Sequence, residues 1–163
     1  MKLRSAANSD LPYILEIFND VIENTLAIYS HKLMSSTDIE KWFENKSIGR
    51  WPVLVVEIEH KAVGFASLGT FRTSEGYQST VELSIHVHRD FRGQGVGTKL
   101  FQAIIKQAQE KKYHCIVSAI DSTNTGSIAL HYKHGFKVAG VIEQVAQKFD
   151  RWLDLTLMQR ILS

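Results

Sequence analysis

The sequence is poor in several residues and patterns that mark particular classes of protein. It contains one cysteine, Cys115, so no disulfide can form within the chain. That residue lies in the apolar run HCIVSAI, and we expect it to be buried rather than to act as a nucleophile. No apolar stretch approaches the ~20 residues that cross a bilayer, and the opening MKLRSAANSD lacks the apolar segment of a secretory signal. We therefore expect a cytoplasmic protein with no membrane partner.

An excess of one charge is also missing. The 163 residues include 19 Lys and Arg against 17 Asp and Glu, a formal net charge of +2, which disfavours nucleic acid as the main partner. The sequence shows no repeat, low-complexity tract or Pro/Gly/Ser-rich linker. With 44% apolar residues it is typical of a globular protein, and we predict one domain over residues 1–163.

Hydrophobic spacing and turn residues predict the element order β-α-α-β-β-β-α-β-α-β-β. Asp10 is expected to cap the first helix and Ser36 or Thr37 the second, while His60-Lys61 is expected to form a hairpin turn. This order predicts an α+β (mixed α/β) fold, with a mixed central sheet flanked by helices. The predicted strands are KLRSA, PVLVVEIE, AVGFASLGTF, TVELSIHVH, HCIVSAI, FKVAGVIEQVAQKF and RWLDLTLMQR.

Three glycines, Gly93, Gly95 and Gly97, crowd the link between the strand TVELSIHVH and the following helix. A glycine-rich turn that opens a helix is suited to binding an anion, because the first-turn N–H groups lack partners and the helix dipole adds positive charge. The stretch HRDFRGQGVGTKL is neither a P-loop nor a G-x-G-x-x-G dinucleotide loop. It does fit R-x-x-G-x-G, starting at Arg92.

This loop, together with N-x-x-S-I-x-L-H-x-x-x-G-F over residues 124–136, resembles the GNAT superfamily of GCN5-related N-acetyltransferases. The segments DLPYILEIFNDVIENTLAIY, FRTSEGYQSTVELSIHV and QKFDRWLDLTLMQ are similar to the phosphinothricin and methionine-sulfone acetyltransferase subfamily. The likeness covers residues 3–159. It implies the GNAT acyl-CoA N-acyltransferase fold and acetyl-CoA as the co-substrate. Subfamily members are usually homodimers whose sites draw on both chains, so we expect a homodimer.

The resemblance also implies which residues hold acetyl-CoA. Backbone groups at the end of the TVELSIHVH strand would pair with the pantetheine arm, and the glycine-rich loop would bind the pyrophosphate. Asn124 and Lys133 match family positions that touch the coenzyme, although Lys133 could equally be a solvated helix lysine. The histidines other than His131 are not spaced like the ligands of a metal ion, so we expect no metal. The expected contacts are Ile85, His86, Val87, Arg92, Gly93, Gln94, Gly95, Val96, Gly97, Thr98, Asn124 and Lys133.

Three residues are candidates for catalysis. Glu82 has apolar neighbours in TVELSIHV that should raise its pKa, and it matches the glutamate of the subfamily's T-V-E-x-S segment, so we predict that it is the general base. The N–H of Val87 would donate to the thioester oxygen. His131 stands where many GNAT proteins place a tyrosine acid, and it could act as an acid or thiolate stabiliser or simply pack.

The acceptor is expected to bind near the loops 25–29 and 71–77. Arg72 is the candidate for a substrate carboxylate, since a guanidinium pairs with that planar group through two hydrogen bonds. Thr73 and Ser74 match family substrate-contact positions, and Tyr29 could form an aromatic wall with Phe71 or Tyr77. Trp152 is expected in core and subunit contacts.

The resemblance favours an enzyme that acetylates the α-amine of small amino-acid-like compounds by direct amine attack on the thioester. Phosphinothricin, methionine sulfone and methionine sulfoximine are the expected substrates, and herbicide resistance could be incidental to a detoxification role. A second hypothesis is a peptide or protein N-acetyltransferase, and a third is a non-catalytic acetyl-CoA-binding sensor.

Overall fold

The computed structural model describes residues 1–162, and the predicted order of strands and helices is confirmed over that range. The single-domain prediction also includes Ser163, which lies outside the described residues. The elements are β1 (Lys2–Ser5), α1 (Leu11–Asn24), α2 (Ser36–Ile48), β2 (Val53–Ile58), β3 (Lys61–Thr70), β4 (Thr80–Val87), α3 (Val96–Glu110), β5 (Cys115–Asp121), α4 (Thr125–Lys133), β6 (Lys137–Lys148) and β7 (Arg151–Ile161).

All of these strands join one sheet in the order β1-β2-β3-β4-β5-β7-β6. The β4–β5 pair is parallel and the other pairs are antiparallel, so the predicted mixed sheet is confirmed. The sheet carries an apolar core on each face. Leu68 and Leu83 belong to the core that includes α3, whereas Phe65 belongs to the core formed with α1 and α2. Alternate residues of β3 therefore serve opposite cores, as the period of a strand requires.

Two predicted helix caps are wrong in detail. The Asp10 side chain makes no cap on α1. Its carboxylate instead accepts hydrogen bonds from the Ala7 N–H at 2.8 Å and from two Arg4 nitrogens at 2.7 and 2.9 Å. The second helix is capped by Ser35, one residue before the predicted position, through a bond from the Asp38 N–H to its hydroxyl. At Asp10 other donors occupy the carboxylate, whereas at α2 the neighbouring Ser35 hydroxyl takes the N–H of Asp38.

The turn of the β2–β3 hairpin lies one residue earlier than the sequence predicts. Its turn residues are Glu59 and His60, with φ of 49° and 64°, and Lys61 already belongs to β3. Cys115 is buried as predicted, and burial raises the pKa of its thiol. Among residues 1–162, no helix is long and apolar enough to cross a membrane.

The β6–β7 hairpin forms the far edge of the sheet, and much of its apolar surface is open to solvent. Trp152 is 63% exposed, so within one chain the prediction of a core position for it is wrong. Its neighbour Leu153 is 2% exposed and does lie inside. Because alternate residues of a strand face opposite sides, a tryptophan beside a buried leucine points outward. The exposed apolar side chains of this hairpin are Val138, Val141, Ile142, Val145, Phe149, Trp152 and Ile161.

Candidate active site

A gap opens in the sheet where β4 and β5 separate. These parallel strands pair only over Thr80–Glu82 and Cys115–Val117. β4 continues to Val87 while paired with β3, and β5 continues to Asp121 while paired with β7. Beyond Glu82 each strand thus keeps one neighbour and leaves its other edge free. A sheet edge with free backbone groups can accept an extended ligand as an added strand.

The backbone direction of β4 identifies the groups that face this gap. The N–H of His88 donates to the carbonyl of Val63 at 2.9 Å, so His88 faces β3. Because direction alternates along a strand, the backbone groups of Ile85 and Val87 face the gap, while those of His86 face β3. The N–H of Val87 therefore faces the gap, and its predicted role as a donor to the thioester oxygen stays a prediction.

The glycine-rich loop lies at the open end of the gap and begins α3. Gly93 and Gly95 have φ of 72° and 85°, a region where side chains cause strain. A Cβ at either residue would meet no atom within 4 Å, so the space above them is open. The first helical bond runs from Lys99 N–H to the Gly95 carbonyl, which leaves the N–H groups of Val96, Gly97 and Thr98 without helical partners. This is the geometry of an anion site.

Side chains of the loop fix its path. Arg92 donates from Nε to the Val87 carbonyl at 3.1 Å, and its Nη2 lies 3.5 Å from Asp20 of α1. Gln94 donates to the Asp90 carbonyl at 2.9 Å. Both residues therefore have structural partners in addition to any ligand role. Val96 is buried against Gly64 of β3, where a Cβ would lie 2.8 Å from its Cγ1.

The two candidate coenzyme residues of α4 differ in their surroundings. Asn124 caps this helix by accepting a hydrogen bond from the Ser127 N–H at 3.2 Å. Because that bond uses its side-chain oxygen, its amide NH2 group remains available. Lys133 is exposed near the C-terminal end of α4, which fits either of its two predicted roles.

Glu82 is half-buried at the inner end of the gap, on the sheet face that packs against α1 and α2. Burial raises the pKa of its carboxyl, and the nearby Lys46 ammonium opposes that shift. His86 follows on the same face, where its ring packs against Phe18 and Phe65. Burial and the charge of Arg92 lower the pKa of His86 to about 4, so this ring is neutral at pH 7.

His131 has the surroundings of a packed side chain. It is 6% exposed and lies edge-on to Phe101 and Phe136, with ring centroids at 4.7 and 5.1 Å. Its Nδ1 lies 2.7 Å from the Ser127 carbonyl, which can only accept, so the proton is on Nδ1. Burial also lowers the pKa of His131. A neutral ring protonated at Nδ1 has no proton on Nε2 to give, which favours packing over the acid role.

A cavity of about 310 Å³ lies beside the β3–β4 loop. Arg72, Thr73 and Ser74 line it, and their role as acceptor contacts stays a prediction. Among residues 1–162, neither Glu82 nor Tyr29 contributes to its wall. The rings of Phe71 and Tyr77 contact each other nearby, with centroids 5.7 Å apart. The other lining residues are Trp51, Thr70, Tyr77, Gln78 and Thr80.

Tyr29 lies elsewhere, at the end of β5. Its hydroxyl donates to Asp121 at 2.7 Å and lies 3.2 Å from the Asp154 carbonyl. Burial and the bond to Asp121 raise the pKa of this phenol. Tyr29 is thus held at the ends of β5 and β7 by Asp121 and Asp154, and its predicted contact with a substrate stays a prediction.

Two lysines near the site were missed from the sequence. Lys46, on α2, donates to the Leu68 carbonyl at 2.7 Å on the face of Glu82. Lys148, on β6, is 2% exposed and donates to the carbonyls of Ile22, Thr25 and Ile28 at 2.6–2.8 Å. A lysine in a polar helix or at a hairpin end carries no sequence signal of such partners. The partners of both lysines are distant in sequence and are identified only from the folded structure.

A splayed strand pair followed by a glycine-rich helix start defines a site for an extended ligand with an anionic end. The model of the Acetyltransferase (GNAT) family matches residues 14–136, and this chain belongs to that family. It is therefore an N-acetyltransferase that uses acetyl-CoA. Within residues 1–162, no group of three His, Cys, Asp or Glu residues could hold a metal ion.

Characterised relatives and solved structures resemble nearly the whole chain. The L-methionine sulfoximine/L-methionine sulfone acetyltransferase of Pseudomonas aeruginosa is 42% identical over 158 residues, covering 96% of this chain and 92% of that protein. The structure of an acetyltransferase from Salmonella typhimurium with its cofactor acetyl-CoA has a TM-score of 0.98 at 38% identity. The match covers 100% of this chain and 94% of that chain. Phosphinothricin N-acetyltransferases are also among the relatives.

A ribosomal-protein-alanine N-acetyltransferase from Brucella melitensis has a TM-score of 0.98 at 44% identity, covering 99% of this chain and 100% of that one. Proteins named for free amino acids and for a ribosomal protein therefore share this fold at similar identity. Fold likeness alone does not choose between the two acceptor classes.

The residues of this chain fit acetyl-CoA. The open edge of β4 at Ile85 and Val87 suits an extended amide chain, and the space above Gly93 and Gly95 suits a phosphate. The buried hydroxyl of Ser118 has no hydrogen-bond partner among the described residues. Because Ile116 and Ile120 on either side of it belong to the core that includes α3, this hydroxyl lies on that face of β5.

Proposed function

We propose that this enzyme acetylates the α-amine of small amino-acid-like compounds. The observation that carries the proposal is the position of Glu82, a half-buried carboxylate with a raised pKa at the inner end of the gap. A carboxylate there is suited to take a proton from an amine that approaches a thioester lying along β4. Methionine sulfoximine, methionine sulfone and phosphinothricin are the proposed substrates, in line with the names of relatives.

Each step uses a group of this chain. Bound acetyl-CoA supplies the acetyl group as a thioester. Glu82 accepts a proton from the substrate ammonium, directly or through water, because only the neutral amine has a lone pair for attack. The N–H of Val87 donates to the oxygen of the attacked carbonyl, where negative charge develops. The new C–N bond replaces the C–S bond, and coenzyme A leaves as a thiolate that takes up the excess proton from the acetylated nitrogen, directly or through water. The N–H groups of Val96, Gly97 and Thr98 hold the anionic end of the coenzyme.

The acceptor would be oriented by the loop after β3. Arg72 lines the 310 Å³ cavity, and its guanidinium lies 5.5 Å from the centre of the Phe71 ring. Stacking on an aromatic ring leaves the edge of a guanidinium free for a carboxylate. Thr73 and Ser74 add hydroxyl groups to the same wall. We propose these three residues as the contacts of the substrate carboxylate and head group.

Thiol release from acetyl-CoA tests the function directly. The panel is phosphinothricin, methionine sulfone, methionine sulfoximine, methionine, glutamate, a polyamine and an alanine-terminated peptide. We expect turnover with the amino acids that carry a tetrahedral polar head group. Turnover with the peptide alone would instead support the protein N-acetyltransferase, the second candidate favoured by the Brucella likeness. Coenzyme binding without turnover on any acceptor would support the sensor.

We also propose that the protein is a homodimer, that each chain forms one domain, and that it acts in the cytoplasm. The β6–β7 hairpin supports the dimer, because β6 is an edge strand and carries exposed Val141 and Val145. Trp152, 63% exposed on β7, adds to this apolar surface. Apolar area of this kind marks an interface. Light scattering should give twice the mass of 18.5 kDa, and Trp152→Glu should give a monomer. A wild-type monomer would contradict the dimer.

A further inference from the structure

Lys46 lies beside Glu82 although 36 positions separate them in the sequence. Its Nζ donates to the Leu68 carbonyl at 2.7 Å, at the point where β3 extends beyond the start of β2. The next residue of β3 is Gly69, which pairs directly with Glu82 of β4. Side chains of such a cross-strand pair lie on one face about 5 Å apart. The ammonium of Lys46 is therefore close to the side chain of Glu82.

The absence of a side chain at Gly69 makes room for this ammonium. A Cβ at residue 69 would lie 2.9 Å from Lys46 Nζ, closer than such atoms approach. The Lys46 ammonium thus occupies the space in which a side chain opposite Glu82 would stand. Its hydrogen bond goes to Leu68 and not to Glu82, so the carboxylate stays free to take a proton.

The other titratable or charged side chains around Glu82 are either neutral or engaged with other residues. On β4, His86 is neutral at pH 7, and on β5 the register partner of Glu82 is the uncharged Val117. Glu23 of α1 is exposed, the other two charged groups of this helix are engaged beyond the far end of β4, and the Arg72 guanidinium after β3 lies over Phe71. These α1 groups are Glu16, which faces His88, and Asp20, which faces Arg89 and Arg92.

We propose that Lys46 is a positioning residue that keeps Glu82 charged at neutral pH and so ready to accept a proton from the substrate amine. The inference rests on the proposed role of Glu82. Burial by itself drives a carboxyl toward its neutral form, in which it cannot act as a base. A nearby cation in a half-buried site offsets part of that cost. α2 thereby contributes to catalysis without touching the reacting atoms.

The test is the pH profile of kcat/KM for Lys46→Met, a change that keeps the chain length and removes the charge. We expect the acidic limb to move up by about one pH unit or more, because a cation at this range favours the charged carboxylate by that much. Lys46→Arg should restore the wild-type limb. Lys41→Met, at an exposed lysine of the same helix, should leave the limb in place.

Gly69→Ala provides a second variant that keeps the lysine. The new methyl group must displace the Lys46 ammonium, so the acidic limb should move in the same direction by a smaller amount. Thermal unfolding and acetyl-CoA affinity, measured on each variant, separate this effect from loss of fold.

Two results would overturn the inference. One is an unmoved limb in folded Lys46→Met when Glu82→Gln is inactive. The other is a raised KM for the amino acid with an unmoved limb, which would make Lys46 a substrate contact. Full activity of Glu82→Gln would instead overturn the proposed role of Glu82 itself.

Discussion

The coenzyme half and the acceptor half of the site are built in different ways. Most of the proposed coenzyme half is continuous in sequence, in β4, the glycine-rich loop and α3, residues 80–110. The proposed acceptor half joins α2, the loops 25–35 and 71–79, and the end of β6. Local rules of strand, turn and helix start govern the first half. The second depends on contacts between segments up to about 120 residues apart, such as Lys148 with Ile28.

The acceptor half should be the more sensitive to the loss of a long-range contact. Lys148→Met removes the donor to three carbonyls, of Ile22, Thr25 and Ile28, and leaves them without a partner. We expect a loss of about 3 kcal/mol in the free energy of unfolding, since each unsatisfied buried group costs ~1–3 kcal/mol. Urea denaturation measures it. Lys137→Met, at an exposed lysine of the same strand, is the control, and an equal loss there would contradict the prediction.

The two halves meet at Glu82, so its loss should reduce turnover and spare coenzyme binding. We expect Glu82→Gln to lower kcat by ~10²-fold or more at neutral pH, the usual contribution of a general base. Its affinity for acetyl-CoA should be unchanged. Glu44→Gln, at an exposed glutamate of α2, should keep wild-type turnover. Wild-type turnover of Glu82→Gln would remove this carboxylate from the mechanism.

The coenzyme half should be sensitive to local backbone strain. Gly95→Ala forces a side chain into a φ of 85°, at a cost of ~1–2 kcal/mol. We expect the KM for acetyl-CoA to rise about tenfold, which corresponds to ~1.4 kcal/mol, while the KM for the amino acid stays the same. Gly126→Ala, in the first turn of α4 and also free of nearby atoms, is the matched control. An effect confined to the amino acid would contradict the assignment.

Substitution of Arg72 should change the KM for the amino acid rather than the KM for acetyl-CoA. We expect Arg72→Ala to raise the KM for the amino acid several-fold and to leave the KM for acetyl-CoA unchanged, because the residue lines the acceptor cavity. Arg72→Lys should recover little, since an ammonium lacks the planar pair of donors. A coenzyme defect in Arg72→Ala would move this residue to the other half.

The smallest effect concerns the position of the acidic limb in the wild-type enzyme. Burial raises the pKa of Glu82, and a base works only when deprotonated, so kcat/KM should fall as the pH drops through that raised pKa. The limb should therefore lie at higher pH than for an ordinary glutamate. The rate of acetylation from pH 4 to 8 measures it, and a limb in the ordinary glutamate range would contradict the raised pKa.

Much of the fold was predictable because local signals agree along the chain. Continuous apolar runs predict β2 and β3, alternating apolar residues predict β4, and helical spacing predicts α1 and α3. The errors were small and lay at element ends. Ser35 rather than Ser36 caps α2, and Glu59 rather than Lys61 lies in the hairpin turn. Adjacent residues of similar propensity compete there, and propensity alone does not rank them.

The sequence by itself determined the strand, glycine-rich loop and helix that can hold a coenzyme, because a backbone anion site needs only neighbouring residues. Only the tertiary structure decided which side chains surround Glu82. In the folded chain Tyr29 donates a hydrogen bond to Asp121, Lys148 is buried against a distant loop, and the Lys46 ammonium lies over Gly69. The physical reason is that the field and burial of a charge depend on distances in space, and strand order and register set those distances.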